Sequence, residues 1–329
     1  MSAPMTPADR VRATLAGARA DRSPYGFWTH FPDVDRDPAA LAETTFAFAR
    51  ATGMDFIKAM PNGMFAVEDW GVVADYSDIA RGGVARATRT PIASAEDWAR
   101  IGRRDVTAGA FGRELDHLAR LVAGAGPDLP VLATTFSPLT VAKKLAPDRF
   151  ARDIAESRRA VEAALAAIAA TMRDFAERAV TLGCAGVFFA VQEATPAVGR
   201  ETYAALGRVY DMIALEGAGA GWCNAVHLHG DDVLFEAIAD YPVHALNWHI
   251  GETAPGLAEY RAAGGARAVL GGLRRAELTR GDLDAAAADI AAARAVDGAR
   301  GVLFGPGCVI RHPCDVAVLQ RVAALLREG

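Results

Sequence analysis

Long apolar runs are missing from this chain: nothing in it approaches the roughly 20 residues that a bilayer span requires. The first 22 residues contain no hydrophobic signal core, and Asp9 and Asp21 argue against a transit peptide. That stretch reads instead as a short helix started by Thr6 and Pro7. Charge of one sign is equally scarce. Lys and Arg number 35 against 40 Asp and Glu, a formal charge of −5, with no basic stripe for nucleic acid and no polybasic membrane patch. Four cysteines (Cys184, Cys223, Cys308, Cys314) in 329 residues make no disulfide framework. GxGxxG and P-loop signatures are absent, and Ser137-Pro138 is no nucleophile elbow, which argues against serine hydrolase chemistry. The expectation is a cytoplasmic protein that handles a small molecule, with neither nucleic acid nor membrane as partner.

What is present is a large core and a regular alternation. Hydrophobic residues make up 52% of the chain and charged residues 23%, which excludes global disorder. Eight short β-rich runs alternate with Ala-rich helical stretches, at 24–31, 55–60, 130–136, 185–192, 222–229, 244–250, 266–273 and 301–308. Eight parallel strands wrapped by helices close a (β/α)8 TIM barrel. The helical pattern over 150–181 is long enough for two helices, and Asp282 caps another over 282–296. Between the second and third runs lie about 70 residues, too many for one crossover, with a capping-box start at Ser94-Ala95-Glu96-Asp97. We therefore expect one domain, 1–329, with an elaborated loop at about 62–129 over the barrel top.

In such a barrel the C-terminal strand ends carry the chemistry. Here those ends offer His30, Lys58, Asn62, Ser137, Gln192, Glu193, His227, His229, Trp248, His249, Glu252 and Cys308. The sharpest group is His227-Leu228-His229-Gly230 with Cys308. Side chains at i and i+2 share a strand face, so both imidazoles point the same way, inward. Cys308 closes the last run in Gly305-Pro306-Gly307-Cys308, where glycine lets the backbone come close. Two imidazoles and a thiolate suit Zn²⁺ and leave a fourth position for substrate. An HxH pair is a weak motif by itself, and either histidine can serve as a hydrogen-bonded barrel residue. Glu193, Glu252 and Glu68 are candidate acids or bases, since enclosure at a barrel mouth raises a carboxyl pKa. Trp28, Trp70 and Trp248 are candidate apolar walls, and Gly271-Gly272 a candidate anion cradle. Cys184, Cys223 and Cys314 read as packing residues.

Several segments together resemble the uroporphyrinogen decarboxylase superfamily, which includes zinc-dependent, cobalamin-linked methyltransferases. They are Phe27-Trp28-Thr29-His30-Phe31-Pro32, Asp55-Phe56-Ile57-Lys58, Met60-Pro61-Asn62-Gly63, Glu68-Asp69-Trp70-Gly71 and Phe136-Ser137-Pro138-Leu139. Gln192, His227-Leu228-His229-Gly230, Asn247-Trp248, Gly271-Gly272-Leu273 and Gly305-Pro306-Gly307-Cys308 complete the set. The resemblance implies the same barrel, with His30, Asn62, Glu68, Trp70, Ser137, Gln192 and Trp248 facing the substrate. Glu193 and Glu252 would then be proton-transfer partners or a fourth ligand.

True uroporphyrinogen decarboxylases carry an RQAGRY-type segment where this chain has Ser23-Pro24-Tyr25-Gly26-Phe27-Trp28. Without that arginine-rich segment, a highly carboxylated tetrapyrrole is not expected as substrate. The methyltransferase branch uses His-x-Cys plus a distant Cys. Here His227 and Cys308 match and His229 replaces the middle thiolate. Neutral imidazole in place of thiolate makes a bound metal a stronger Lewis acid and a bound thiolate less nucleophilic. The reading that follows is zinc-dependent methyl or alkyl transfer to or from a small substrate, with a thiol or a corrinoid carried by a partner protein, in a homodimer. Two alternatives stay open: a carboxy-lyase acting without metal, and a non-catalytic small-molecule-binding barrel.

Overall fold

Alternation of side chains along short parallel strands sorts this protein into an inside and an outside. The computed structural model describes residues 4–81 and 85–328. Seven strands form one curled parallel sheet: β1 (Ile57–Lys58), β4 (Val131–Phe136), β5 (Gly186–Val191), β6 (Ala225–Leu228), β7 (Ala245–Trp248), β8 (Ala268–Leu273) and β9 (Val302–Pro306). They are hydrogen-bonded in chain order, as helical crossovers between parallel neighbours require. An antiparallel hairpin, β2 (Val73–Asp75) with β3 (Arg86–Arg89), stands apart.

Residues pointing inward form their own cluster, among them Leu132, Phe188, Ala225, Ala245, Ala268, Leu270 and Leu303. Their neighbours Ala133, Val187, Phe189, Val226, Leu246, Val269 and Phe304 belong to the larger outer core between sheet and helices. Both faces are therefore buried, and the interior is filled rather than open. The architecture is TIM-barrel-like. The first of the eight expected runs is the departure. Segment 24–31 makes only two isolated parallel bridges, Tyr25 to Phe304 and Thr29 to Ile310. Pro24 has no N–H to give a ladder, and a side chain at Gly26 would meet the Phe56 ring at 2.7 Å.

Local signals act as their chemistry predicts. Thr6 caps the helix Pro7–Leu15, Asp282 caps Leu283–Ala295, and 150–181 divides into Phe150–Glu156 and Arg158–Thr181. The Asp97 carboxylate accepts from the Ser94 and Ala93 amides at 2.7 and 3.0 Å. Asp231-Asp232 is followed only by a 3-10 turn, Phe235–Ile238. The long segment 62–129 holds the short helix Phe65–Glu68, the β2–β3 hairpin and, at its end, the crossover helix Gly109–Ala125. No helix among the described residues is long and apolar enough to cross a membrane.

Candidate metal centre

Four donor side chains converge above the inner cluster. One ligand atom from each of His227, His229, His249 and Cys308 lies within 4.8 Å of the others. His227 stands on β6, and His229 extends that strand by donating its amide to Val191 O at 2.8 Å. The two-residue period puts both rings inside. His249 follows β7, in which Asn247 already points inward, so the same period brings its ring to the same point. Cys308 arrives from the end of β9. A side chain at Gly307 would meet Trp248 O at 2.8 Å and His249 Cα at 2.9 Å, so glycine is what allows this close approach.

Two of the distances match a metal shell. His229 Nδ1 lies 3.5 Å from His227 Nε2 and 3.5 Å from Cys308 Sγ. Donors held ~2.0–2.3 Å from a tetrahedral zinc are roughly 3.3–3.8 Å apart. A residue outside the shell fixes the orientation. Asn247 pairs in register with His227 across β6 and β7, and its amide donates to Leu270 O and Pro306 O at 2.6 and 3.3 Å. Those bonds assign its Oδ1 as an acceptor, 2.5 Å from His227 Nδ1. His227 Nδ1 therefore carries the hydrogen, and Nε2 presents its lone pair to the cluster. His249 Nδ1 faces Asp231 Oδ1 at 3.2 Å and Glu252 Oε2 at 4.0 Å.

Electrostatics keep the imidazoles neutral. Burial, reinforced by the neighbouring rings, holds His227 well below its ordinary pKa; burial and His249 bring His229 down to about 4. His249 is lowered by burial and by Arg275. Burial raises the Cys308 thiol, partly offset by Arg275. The site thus offers three neutral imidazoles and one protonated thiol, with the Gly230 amide donating to His249 Nε2 at 3.5 Å.

A cavity of about 510 Å³ opens onto His227, His229 and Cys308, while His249 stands behind them, 1% exposed. Lys58, Lys144, His30 and Gln192 line it, with Ile79, Ala85 and Ala87 from the long segment as part of the apolar wall. Burial, with the charges of Lys58 and Lys144 adding to it, lowers His30 to about 4.

Other expected site residues lie elsewhere. Asn62 does not line the cavity: it donates to Asp35 Oδ1 at 3.0 Å and accepts from the Met64 amide, tying a turn. Glu68 is held by Arg113 at 2.9 Å. Trp70 packs edge-on against Phe111 and donates to Gly102 O. Ser137 is fully buried at the start of the helix Pro138–Leu145. Trp248 alternates with Asn247 and so turns outward, against Phe235 and Tyr260. Glu193 pairs with Lys143 at 2.9 Å, and Glu252 accepts from the Ala276 amide at 3.1 Å and faces Arg275 Nε at 3.5 Å. The three-donor set gains His249, which is visible in the sequence by counting two residues on from Asn247. Asn247 itself gave no such signal, because its role depends on a cross-strand register. Cys184 and Cys223 are buried free thiols, both pushed up to about 12 by burial.

Comparisons with known proteins agree with this architecture. A methyltransferase from Methanosarcina mazei superposes with a TM-score of 0.83 at 17% identity, over 98% of this chain and 99% of that one. A B12-independent methionine synthase from Shewanella sp. W3-18-1 gives 0.57 at 12% identity, over 93% and 92%. A putative vitamin-B12 independent methionine synthase from Listeria monocytogenes gives 0.59 at 13%, over 94% and 96%. At such identities the likeness is one of fold. No curated protein matches the chain in sequence. The profile of the uroporphyrinogen decarboxylase (URO-D) family matches residues 6–328, and the chain belongs to that family.

Proposed function

We propose that this protein is a zinc-dependent methyl- or alkyl-transferase acting on a small substrate, with zinc held by the cavity-facing His227, His229 and Cys308 and its fourth position filled by His249 or, in its place, by the substrate heteroatom. One observation carries the reading: four donor atoms meet within 4.8 Å at the wall of a cavity, and Asn247 aims one lone pair at their centre. Three imidazoles and a thiol, with no carboxylate among them, fit zinc rather than magnesium or calcium. A bound zinc supplies a Lewis acid that lowers the pKa of a coordinated thiol or water. With a single thiolate in the set, the centre is more positive than one with two, which favours acidifying an acceptor over sharpening its nucleophilicity.

The chain's own residues do the positioning. Asn247 holds His227 in one tautomer, and Asp231 and Glu252 flank His249 Nδ1. Glu252 also braces Arg275, which faces Cys308. We therefore assign Glu252 to positioning and place Glu193, bonded to Lys143, away from the reacting atoms. The hairpin residues Ala85 and Ala87 help exclude water from the cavity. A carboxy-lyase working without metal would leave four converging donors without a role. We read segment 24–31 as the eighth stave of the barrel, because Tyr25 O also accepts from the Asp55 amide at 2.7 Å on its other side. A corrinoid carried by a partner protein is the proposed methyl source, and a homodimer the proposed assembly.

Metal analysis of protein purified with zinc present tests the reading. Wild type should hold close to one zinc per chain, and Cys308→Ala far less. Equal, trace-level zinc in both would sink it. Transfer itself is then assayed with methylcobalamin and a thiol panel: the thiol loses its proton as the S–CH3 bond forms and the Co–C bond breaks, leaving cob(I)alamin. Its absorbance reports turnover.

A further inference from the structure

Among the described residues, two lysines on the cavity wall are bonded to no carboxylate. Lys58 is 7% exposed, with Nζ 2.7 Å from the Met60 sulfur and 4.8 Å from the centre of the Phe188 ring. Lys144, on the helix Pro138–Leu145, has Nζ 3.5 Å from Gly63 O and 4.5 Å from the centre of the Phe136 ring. An ammonium carries three donors. A thioether, a ring face and one long carbonyl contact leave most of them unused. Among the described residues, the acids near these lysines are engaged elsewhere: Glu114, the carboxylate that acts on Lys58, faces His117 Nδ1 at 3.1 Å. Glu193, the carboxylate that acts on Lys144, is bonded to Lys143 at 2.9 Å. Asp35, which also lines the cavity, accepts from Asn62 and is faced by Arg36 and Arg113.

Burial without a counter-charge is costly for an ammonium. It depresses Lys58 to about 7 and Lys144 to about 8. Lys58 is tied to the donor cluster by a single ring: Phe188 carries its ammonium and stacks on His227 with centres 5.3 Å apart. The cavity therefore has a cationic region and a donor-atom region within about 510 Å³.

We propose that the cavity takes a small organic acid, whose oxyanion head is bound by Lys58 and Lys144 while its other end reaches the His227–His229–Cys308 face. The second half of that statement rests on the transfer reading; the first half does not. The anion supplies the counter-charge that the two ammonium groups lack, in a site partly shielded from water, where such contacts are strong.

The test uses four probes of matched length on the full chain, both zinc-loaded and chelator-treated: butyrate, butyl phosphate, 1-butanol and butylamine. Calorimetry should find at least one of the two anions binding about tenfold or more tightly than 1-butanol, with no detectable binding of butylamine. The tighter of the two anions identifies the head group as carboxylate or phosphate. Lys58→Met and Lys144→Met keep much of the side-chain volume while removing the charge. Each should lose about tenfold or more in anion affinity and melt no lower than wild type without ligand. Should Lys58→Met fail to fold, Lys144→Glu serves: its preference should turn from the anions to butylamine.

Anions that bind no better than 1-butanol, or that bind both Met variants within twofold of wild type, overturn the proposal. The two readings fail separately. Zinc held at one per chain without anion selectivity defeats only the organic-acid inference. Lysine-dependent anion binding in a protein that holds no zinc defeats only the transfer reading.

Discussion

Inside the curled sheet, His227, His229, His249 and Cys308 face one another; outside it, in the core between sheet and helices, Asp211 accepts from the Tyr203 and Tyr241 hydroxyls at 2.7 and 2.6 Å. Both clusters are buried and both titrate abnormally. Burial raises Asp211 to about 6, with the tyrosine hydroxyls opposing that rise. The difference lies in how hydrogen-bonding capacity is used. In the outer cluster, hydroxyl donors meet a carboxylate acceptor, and the two hydroxyls lie 2.7 Å apart. In the inner cluster, His227 turns its hydrogen outward to Asn247 and its lone pair inward, and the only contacts among the four donors are two long ones of 3.5 Å. Donor atoms that converge with so few hydrogens among them could hold a cation. A perturbed pKa alone does not distinguish the two clusters.

That contrast can be broken most decisively by mutation. Cys308→Ala or His227→Ala should bring bound zinc from near one per chain to below about a tenth, whereas Tyr203→Phe should leave it unchanged. Atomic absorption on the purified variants decides this, and zinc loss in Tyr203→Phe would erase the distinction. Asn247→Ala is milder. It keeps all four donors but frees the tautomer of His227, so zinc affinity should weaken about 10–100-fold in chelator competition.

Protons sharpen the comparison further. Above pH 7 the imidazoles are largely neutral, since His229 is lowered to about 4 and His227 and His249 also lie below the ordinary value of 6.5. Only the raised Cys308 thiol has a proton to lose on binding metal. Zinc affinity should therefore rise about tenfold per pH unit between pH 7 and 8, with about one proton released in buffer-matched calorimetry.

The smallest expected effect belongs to the outer cluster. The folded-state pKa of Asp211, about 6, lies above the ordinary 3.8. Its contribution to stability is full below the lower value and is lost as pH rises through the upper one. At pH 7.5 a buried carboxylate remains, which Asp211→Asn removes while keeping an oxygen acceptor for both tyrosines. That variant should melt about 2–4 °C above wild type at pH 7.5, and the gain should shrink toward pH 4.5.

Much of this protein is legible residue by residue. Seven of the eight β-rich runs became strands of one parallel sheet, because short buried runs between Ala-rich helices leave few other arrangements. The caps at Thr6 and Asp282 are local bonds and appear where the residues sit. His227 and His229 share a face because strand alternation is local too. Trp248 shows the limit: proximity to the barrel mouth suggested a substrate wall, but alternation from Asn247 sends it outward. Glu68 and Glu252 are candidate acids or bases by position, yet each is held, one by Arg113 and the other by the Ala276 amide, partners 45 and 24 residues away. The run at 24–31 read as a strand, but Pro24 and Gly26 limit it to isolated bridges.

By itself, the order of residues determined the alternation of strand and helix and the inward pairing of the two HxH imidazoles. Each depends on neighbours within a few positions along the chain. The tertiary structure alone decided that His249 completes the donor set, that Asn247 fixes a tautomer, and that Lys58 and Lys144 face a cavity without a counter-charge. Those facts arise from cross-strand register and from segments about 75–85 residues apart meeting in space, which no local pattern encodes.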